Sequence, residues 1–181
     1  MCLPSVKWVI VAVGSYPFIP DIPGVKGANV LTCREVLSEQ KKTGKKVVVL
    51  GGGYVGCETS LFLAKKGSDV TLTYIEPALD VKFWMFKKYF QDKLNGYGIK
   101  VFPQVKYGQI TPKGVSLTNK EGKEVFLEAA NIVLAAGSTP DKTLGESLKG
   151  KFLEFYEVGD CIEPRRIGEA ISEATWTAVA I

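Results

Sequence analysis

The 181-residue chain contains no histidine. That removes the commonest general base, the commonest nitrogen ligand of zinc, and every Ser-His or Cys-His nucleophile scheme. Cys2, Cys33, Cys57 and Cys161 are scattered, without a C-x-x-C pair. They give no support to a local redox dithiol or to a zinc or iron–sulfur loop, so no metal site is expected. Four thiols without a framework suit a reducing, cytoplasmic setting. No apolar run approaches the ~20 residues that span a bilayer. The N-terminus lacks the charged segment and long apolar core of a signal peptide. The net charge of +4 is only mildly basic. Lysines cluster at Lys41, Lys42, Lys45 and Lys46 and at Lys82, Lys87 and Lys88, but without the interleaved aromatics of a nucleic-acid platform. Neither nucleic acid nor membrane is expected as a partner. Chemistry on such a chain is expected to be carried by a cofactor.

What is present is an ordinary globular composition, 46% hydrophobic and 23% charged. The length suits one domain, or one domain with parts of a neighbour. The chain is organised around Lys46-Val-Val-Val-Leu-Gly-Gly-Gly-Tyr-Val-Gly56. Val47 to Leu50 read as a buried strand. Gly51, Gly53 and Gly56 then fit G-x-G-x-x-G, with Gly52, Tyr54 and Val55 inside the loop, and a helix is expected over Cys57–Lys66. A second strand, Asp69–Ile75, ends on Glu76. The physical roles follow from the spacing. Gly51 permits the tight turn, Gly53 lets a pyrophosphate approach the backbone, and Gly56 lets helix and strand pack closely. The helix N-terminus offers N–H groups and partial positive charge to the phosphates. Glu76 lies about 25 residues past Gly51, near the distance at which an acid holds a ribose hydroxyl pair. Together these parts predict dinucleotide binding.

The remaining chain supplies the frame. An apolar strand is expected at Lys7–Val13, then an extended linker, Tyr16–Gly24, whose prolines bar it from a helix or central strand. A short strand (29–32) and a short helix (34–39) follow. Phe83–Leu94 is expected to be a helix packing Phe83, Phe86, Phe90 and Leu94 on the sheet, followed by a strand at 99–102. Three alternating segments, 105–110, 114–118 and 124–127, are separated by turn residues and predict a β-meander. Asn131–Ala136 returns as a buried strand, and 152–158 is another. Pro164–Ile181 reads as an amphipathic helix, with Pro164 in its first turn and Ile167, Ile171, Ala174 and Ala178 on one face. Val9-Ile-Val-Ala-Val-Gly-Ser-Tyr-Pro17 and Ile132-Val-Leu-Ala-Ala-Gly-Ser-Thr-Pro140 repeat one pattern on either side of the dinucleotide unit. Two strand ends built alike imply two similar nucleotide-binding domains, one interleaved in the other. The expected fold is α/β and Rossmann-like: a parallel sheet with flanking helices and a meander crossing one face.

Four marks carry a family resemblance: Ala12-Val-Gly14-Ser, Gly51-Gly-Gly53-Tyr-Val-Gly56-Cys-Glu58, Ala135-Ala-Gly137-Ser and Val158-Gly-Asp160-Cys. The chain resembles the two-dinucleotide flavoprotein reductases, in which an NAD(P)H domain is inserted into an FAD domain. Ser15–Gly24 and Gly159–Arg166 look most like the C-terminal region of the old-yellow-enzyme relatives, the NADH oxidase, 2,4-dienoyl-CoA reductase and 2-enoate reductase type. The family's FAD phosphate loop, catalytic barrel and iron–sulfur cysteines have no counterpart in these 181 residues. The resemblance therefore implies a fragment of a larger flavoenzyme. Residues 25–150 would bind NAD(H), and 1–24 and 151–181 would be remnants of the FAD domain. The partners implied are the FAD domain and catalytic domain of the same parent chain, with FAD held there. By position, Tyr54 matches an aromatic that lies over the flavin, or else packs at the helix start. Glu58 matches a carboxylate that accepts from the nicotinamide carboxamide, or else is an acid favoured by the helix dipole. Gly137 would line the nicotinamide side, and Asp160 matches an acid that holds the FAD ribityl chain. Arg165 and Arg166 read as a solvated helix start. No residue is expected to be catalytic in its own right. The implied reaction is hydride transfer from NADH to FAD, then onward to an enoyl-type acceptor. Three alternatives stand beside it: another flavin enzyme of the superfamily, such as a ferredoxin or disulfide reductase; a non-catalytic NAD-sensing module; and a glycine loop that binds FAD itself.

Overall fold

Val47, Val48, Val49 and Leu50 are all 1% exposed or less, so the strand they form is covered on both faces. Alternation sends Val47 and Val49 to one face and Val48 and Leu50 to the other, each into its own apolar cluster. Each such side chain contributes roughly 1.5–3 kcal/mol of burial. That is why the rest of the unit is layered on this strand.

In the computed structural model the described residues are 8–181. Cys2, and Lys7 at the start of the first expected strand, lie outside them. In chain order the elements are β1 (Trp8–Val11), β2 (Ser15–Pro17), β3 (Val30–Thr32) and α1 (Cys33–Leu37). The dinucleotide motif follows as β4 (Lys46–Leu50), α2 (Tyr54–Lys65) and β5 (Asp69–Thr73), then α3 (Trp84–Gly96) and β6 (Lys100–Phe102). The meander is β7 (Lys106–Thr111), β8 (Gly114–Thr118) and β9 (Glu124–Glu128). The chain closes with β10 (Asn131–Leu134), β11 (Ser138–Pro140), α4 (Thr143–Leu148), β12 (Glu154–Glu157) and α5 (Ile167–Ala180).

Two compact units result: Pro17–Gly137, and Ser138–Ile181 with the described residues up to Tyr16. The boundaries read from sequence, 24/25 and 150/151, fall inside these units. In the first unit a parallel sheet runs β3-β10-β4-β5-β6. Residues of α1, α2 and α3 pack with Val47 and Val49 on one face. Ile110 and Val115 of the meander pack with Val48 and Leu50 on the other. This is the Rossmann-like α/β arrangement expected, with the meander on a single face. Thr32 and Glu35 form a reciprocal capping box that starts α1.

In the second unit β1 pairs in parallel with β12; β2, which ends on Pro17 at the unit boundary, pairs with β11. Pro17 therefore belongs to a strand, where a linker was expected. The ladder has only two strands, so an edge position without an N–H donor is tolerated. A single 3-10 turn at Gly159–Cys161 leads towards α5.

Three expectations are corrected. The last helix begins at Ile167, so Pro164 precedes it instead of sitting in its first turn. Its apolar edge is not buried: Ile167 is 80% and Ile171 60% exposed. The helix is tied down on its polar side: Glu173 accepts the Gly159 N–H at 2.8 Å and pairs with Arg165. In α3 only Phe90 and Leu94 are buried, while Phe83 and Phe86 stand about half exposed.

Candidate functional site

Ligands of parallel α/β sheets bind outside the carboxyl ends of the strands. Here those ends are Leu50 of β4 and Thr73 of β5, and the glycine loop joins the first to α2. Gly51 has φ +123, a conformation that L side chains rarely adopt, and a Cβ there would meet the Ala135 carbonyl oxygen at 2.2 Å. A Cβ on Gly52 would strike the Tyr74 ring at 2.5 Å. One on Gly56 would lie 1.8 Å from the Gly51 carbonyl oxygen, so this residue is what lets helix and loop close. Gly53 differs. Its added Cβ would meet only the Asp80 carbonyl oxygen, at 3.8 Å. No packing reason for a glycine exists there.

Helix α2 begins at Tyr54, three residues earlier than the Cys57 expected, and Gly53 is its N-cap without a side-chain hydrogen bond. The helix dipole is therefore aimed at the Gly53 position, and Gly56 lies within the first turn. Residues 79–81 run alongside, with Gly53 and Asp80 in a parallel bridge and the Asp80 N–H donating to the Gly52 carbonyl at 3.0 Å. Val55 and Glu58 are exposed on the first turns of the helix. Tyr54 makes edge contacts to Phe86 and Phe90 of α3, both with centroids at 6.0 Å. Those contacts match its packing alternative.

The second strand stops at Thr73, two residues short of the expected Ile75, because Tyr74 and the residues after it pair with the segment leading into the meander. The Tyr74 N–H donates to Phe102 and its carbonyl accepts from Val105, each at 3.1 Å, and the Glu76 carbonyl accepts from Gln104 at 3.2 Å. The Glu76 side chain is exposed at that strand end. Burial is the main cause that raises the Tyr107 hydroxyl to about 12, and the Glu76 charge adds to it.

The structure thus brings Gly51, Gly52, Gly53, Tyr54, Val55, Gly56, Glu58 and Glu76 into the Pro17–Gly137 unit, at the ends of β4 and β5 and the start of α2. Gly137 closes that unit with φ +105, its carbonyl accepting the Phe18 N–H at 2.9 Å. Asp160 belongs to the other unit, where its carboxylate accepts from the Ser15 hydroxyl at 3.3 Å and the Arg165 N–H at 3.2 Å. Sequence reasoning missed Tyr107 and the Asp80 backbone as neighbours of the loop. Both depend on pairings that no local pattern announces.

Cys33, Cys57 and Cys161 are free thiols. Burial, then the charge of Glu58, pushes the Cys57 thiol up to about 12. At pH 8 its thiolate fraction is on the order of one in ten thousand, so it cannot act as a nucleophile. Iodoacetamide at pH 8 should leave Cys57 unlabelled in the folded chain and label it after denaturation, as peptide mass mapping would show. Labelling of the native protein would contradict this burial. Among the described residues no cluster of His, Cys, Asp and Glu could hold a metal, and no helix is long and apolar enough to cross a membrane.

Known proteins match this arrangement. The NADH oxidase of Thermoanaerobacter brockii is 33% identical over 174 residues, spanning 93% of this chain and 27% of that protein. The bilirubin reductase of Mediterraneibacter gnavus is 33% identical over 161 residues, 86% of this chain and 24% of that protein. A solved 2-naphthoyl-CoA reductase in complex with 2-naphthoyl-CoA superposes with a TM-score of 0.93 at 28% identity, covering 98% of this chain and 27% of that one. The chain thus spans about a quarter of the length of these relatives. The sequence profile of the pyridine nucleotide-disulphide oxidoreductases matches residues 5–174, and the chain belongs to that family.

Proposed function

We propose that the Pro17–Gly137 unit binds NADH and presents its nicotinamide to an FAD held by the rest of a parent flavoenzyme. One observation carries this reading. Gly51, Gly52 and Gly56 are each required by a backbone or ring contact, whereas Gly53 keeps an open position at the helix start, the kind of opening through which a pyrophosphate approaches the backbone. That position lies at the N-terminus of a 12-residue helix, where N–H groups and the dipole favour a pyrophosphate. Glu76, one strand over, accepts from the adenosine ribose. Val55 and Glu58 border the path of the nicotinamide half. Bound there, NADH supplies a hydride for the flavin. The chain's own residues hold the phosphates, the ribose and the carboxamide in register.

The flanking unit is assigned to the parent's FAD domain, with Asp160 on the ribityl side; Gly137, the last residue of the coenzyme unit, is assigned to the nicotinamide side. Residues 17–24 then fall to the coenzyme unit and 138–150 to the flanking one, and the parent is assigned as a cytoplasmic enzyme. The bilirubin reductase and 2-naphthoyl-CoA reductase among its relatives favour an unsaturated, enoyl-type acceptor further along. The 181 residues hold one G-x-G-x-x-G, so the chain on its own is expected to bind NADH and to purify colourless. It should not oxidise NADH with common acceptors. Calorimetric titration with NADH and a flavin-region absorbance scan check both points. Stoichiometric flavin on the purified chain, with no NADH binding, would overturn the proposal and hand the loop to FAD.

A further inference from the structure

Tyr107 lies on the meander, on the sheet face opposite the helices, yet its hydroxyl reaches the end of β5. A regular strand would set Tyr107 and Ile110 on opposite sides, since they are three residues apart. Both turn inward because β7 is bulged: Tyr107 pairs with Leu117 while Ile110 pairs with Val115. Three steps on β7 therefore match two on β8, and such an extra residue re-aims its neighbour's side chain. The bulge is locked by Ser116, whose hydroxyl oxygen accepts the Gln109 N–H at 2.8 Å. It also needs Gly108, where a Cβ would lie 2.7 Å from that same oxygen.

Re-aimed in this way, the Tyr107 hydroxyl donates to the Thr73 carbonyl at 3.0 Å and lies 3.1 Å from the Thr73 hydroxyl. The Thr73 carbonyl also accepts the N–H of Gly51 at 2.8 Å. One carbonyl thus joins the meander to the first glycine of the loop. The Thr73 hydroxyl continues the chain to the Val49 carbonyl at 3.2 Å, on the strand that feeds the loop. Three residues beyond Thr73, the Glu76 carbonyl is held by the N–H of Gln104, which adopts a left-handed φ of 54. Non-glycine residues rarely take that conformation, and the entry to β7 is bent to make this contact.

We infer that Tyr107 is a positioning residue for the coenzyme: by holding the Thr73 carbonyl it fixes the spacing between the Gly51 turn and the Glu76 end of β5. This rests on the NADH reading above. A ligand that spans pyrophosphate loop and ribose acid needs both contacts in register, and Tyr107 is the side chain that ties them.

The test is an NADH titration of four proteins: the unmodified chain, Tyr107→Phe, Glu76→Ala and the double variant. Phenylalanine keeps the ring and its packing and removes one hydrogen bond. Tyr107→Phe should weaken NADH by about three- to tenfold, the range of a single net hydrogen bond. In the Glu76→Ala background, where no ribose acid remains to be placed, the same change should cost less than about twofold. A merely structural tyrosine would weaken binding equally in both backgrounds. That result, or no weakening in either, overturns the inference and leaves the coenzyme reading standing. Failure of the unmodified chain to bind NADH overturns both.

Discussion

Gly53→Val should abolish detectable NADH binding while leaving the domain folded. The two halves of this expectation come from one geometry. A Cβ at Gly53 meets only the Asp80 carbonyl oxygen, at 3.8 Å, an ordinary contact, so the loop need not move to accept it. The backbone there has φ −77 and ψ −175, an extended conformation open to any residue. The space a valine would fill is the space through which a pyrophosphate must reach the helix N-terminus. Displacing the phosphates from those donors costs about 3 kcal/mol or more, at least roughly a hundredfold in affinity. Gly56→Ala is the contrasting control. Its Cβ would lie 1.8 Å from the Gly51 carbonyl oxygen, so loop and helix must separate and the lesion falls on stability. Circular dichroism beside calorimetric titration separates the cases. A folded Gly53→Val that binds NADH at full strength would make the loop a structural turn and nothing more.

That distinction between two glycines of one motif was only partly visible in the sequence. The strand, the loop, the following helix and the second strand were legible, because a run such as Val47–Leu50 has one economical fate and three spaced glycines restrict the backbone. The meander was legible for the same kind of reason: alternation with turn residues between. What escaped were features set by partners distant in the chain. Helix α4 is short, and its Gly145 lies against the Glu157 carboxylate, a contact no local pattern shows. The α5 periodicity marks one apolar face, yet no residue of the helix is buried, and its tie to the Gly159 N–H runs through Glu173. Phe83 and Phe86 share helical spacing with Phe90, yet only the C-terminal half of α3 lies over the sheet. Among the candidate residues, the loop glycines have a backbone reason that their spacing reveals. Tyr107 was hidden because its bulge breaks the very alternation by which strands are read.

On the proposed NADH reading, coenzyme choice rests on Glu76, where the chain turns out of the sheet with its carboxylate exposed. NADH presents a 2′-hydroxyl from which a carboxylate can accept; NADPH places a phosphate at the same point. Two like unit charges ~4 Å apart repel by about 4 kcal/mol at an effective dielectric of ~20. Exposure lets salt and solvent take much of this, and a third of it, about 1.4 kcal/mol, is still roughly tenfold in affinity. The next residues, Pro77-Ala-Leu-Asp80, offer no arginine to receive a phosphate, and Asp80 adds a second negative charge on the stretch whose backbone bridges Gly53. Lys82 follows, with its side chain exposed. The backbone of Glu76 is held, its carbonyl accepting from the Gln104 N–H, and the Thr73 carbonyl at the preceding strand end accepts from Gly51, so the carboxylate has a fixed base from which to accept or repel. NADH should therefore bind at least about tenfold tighter than NADPH at low salt, with the gap narrowing as salt rises. Glu76→Ala should shrink the preference from both sides, weakening NADH by the lost ribose hydrogen bond and strengthening NADPH by removing the repulsion. Titration of both coenzymes against both proteins at two salt concentrations reads all of this at once. Tighter NADPH binding by the unmodified chain would assign the ribose to another residue, and a preference unchanged in Glu76→Ala would do the same.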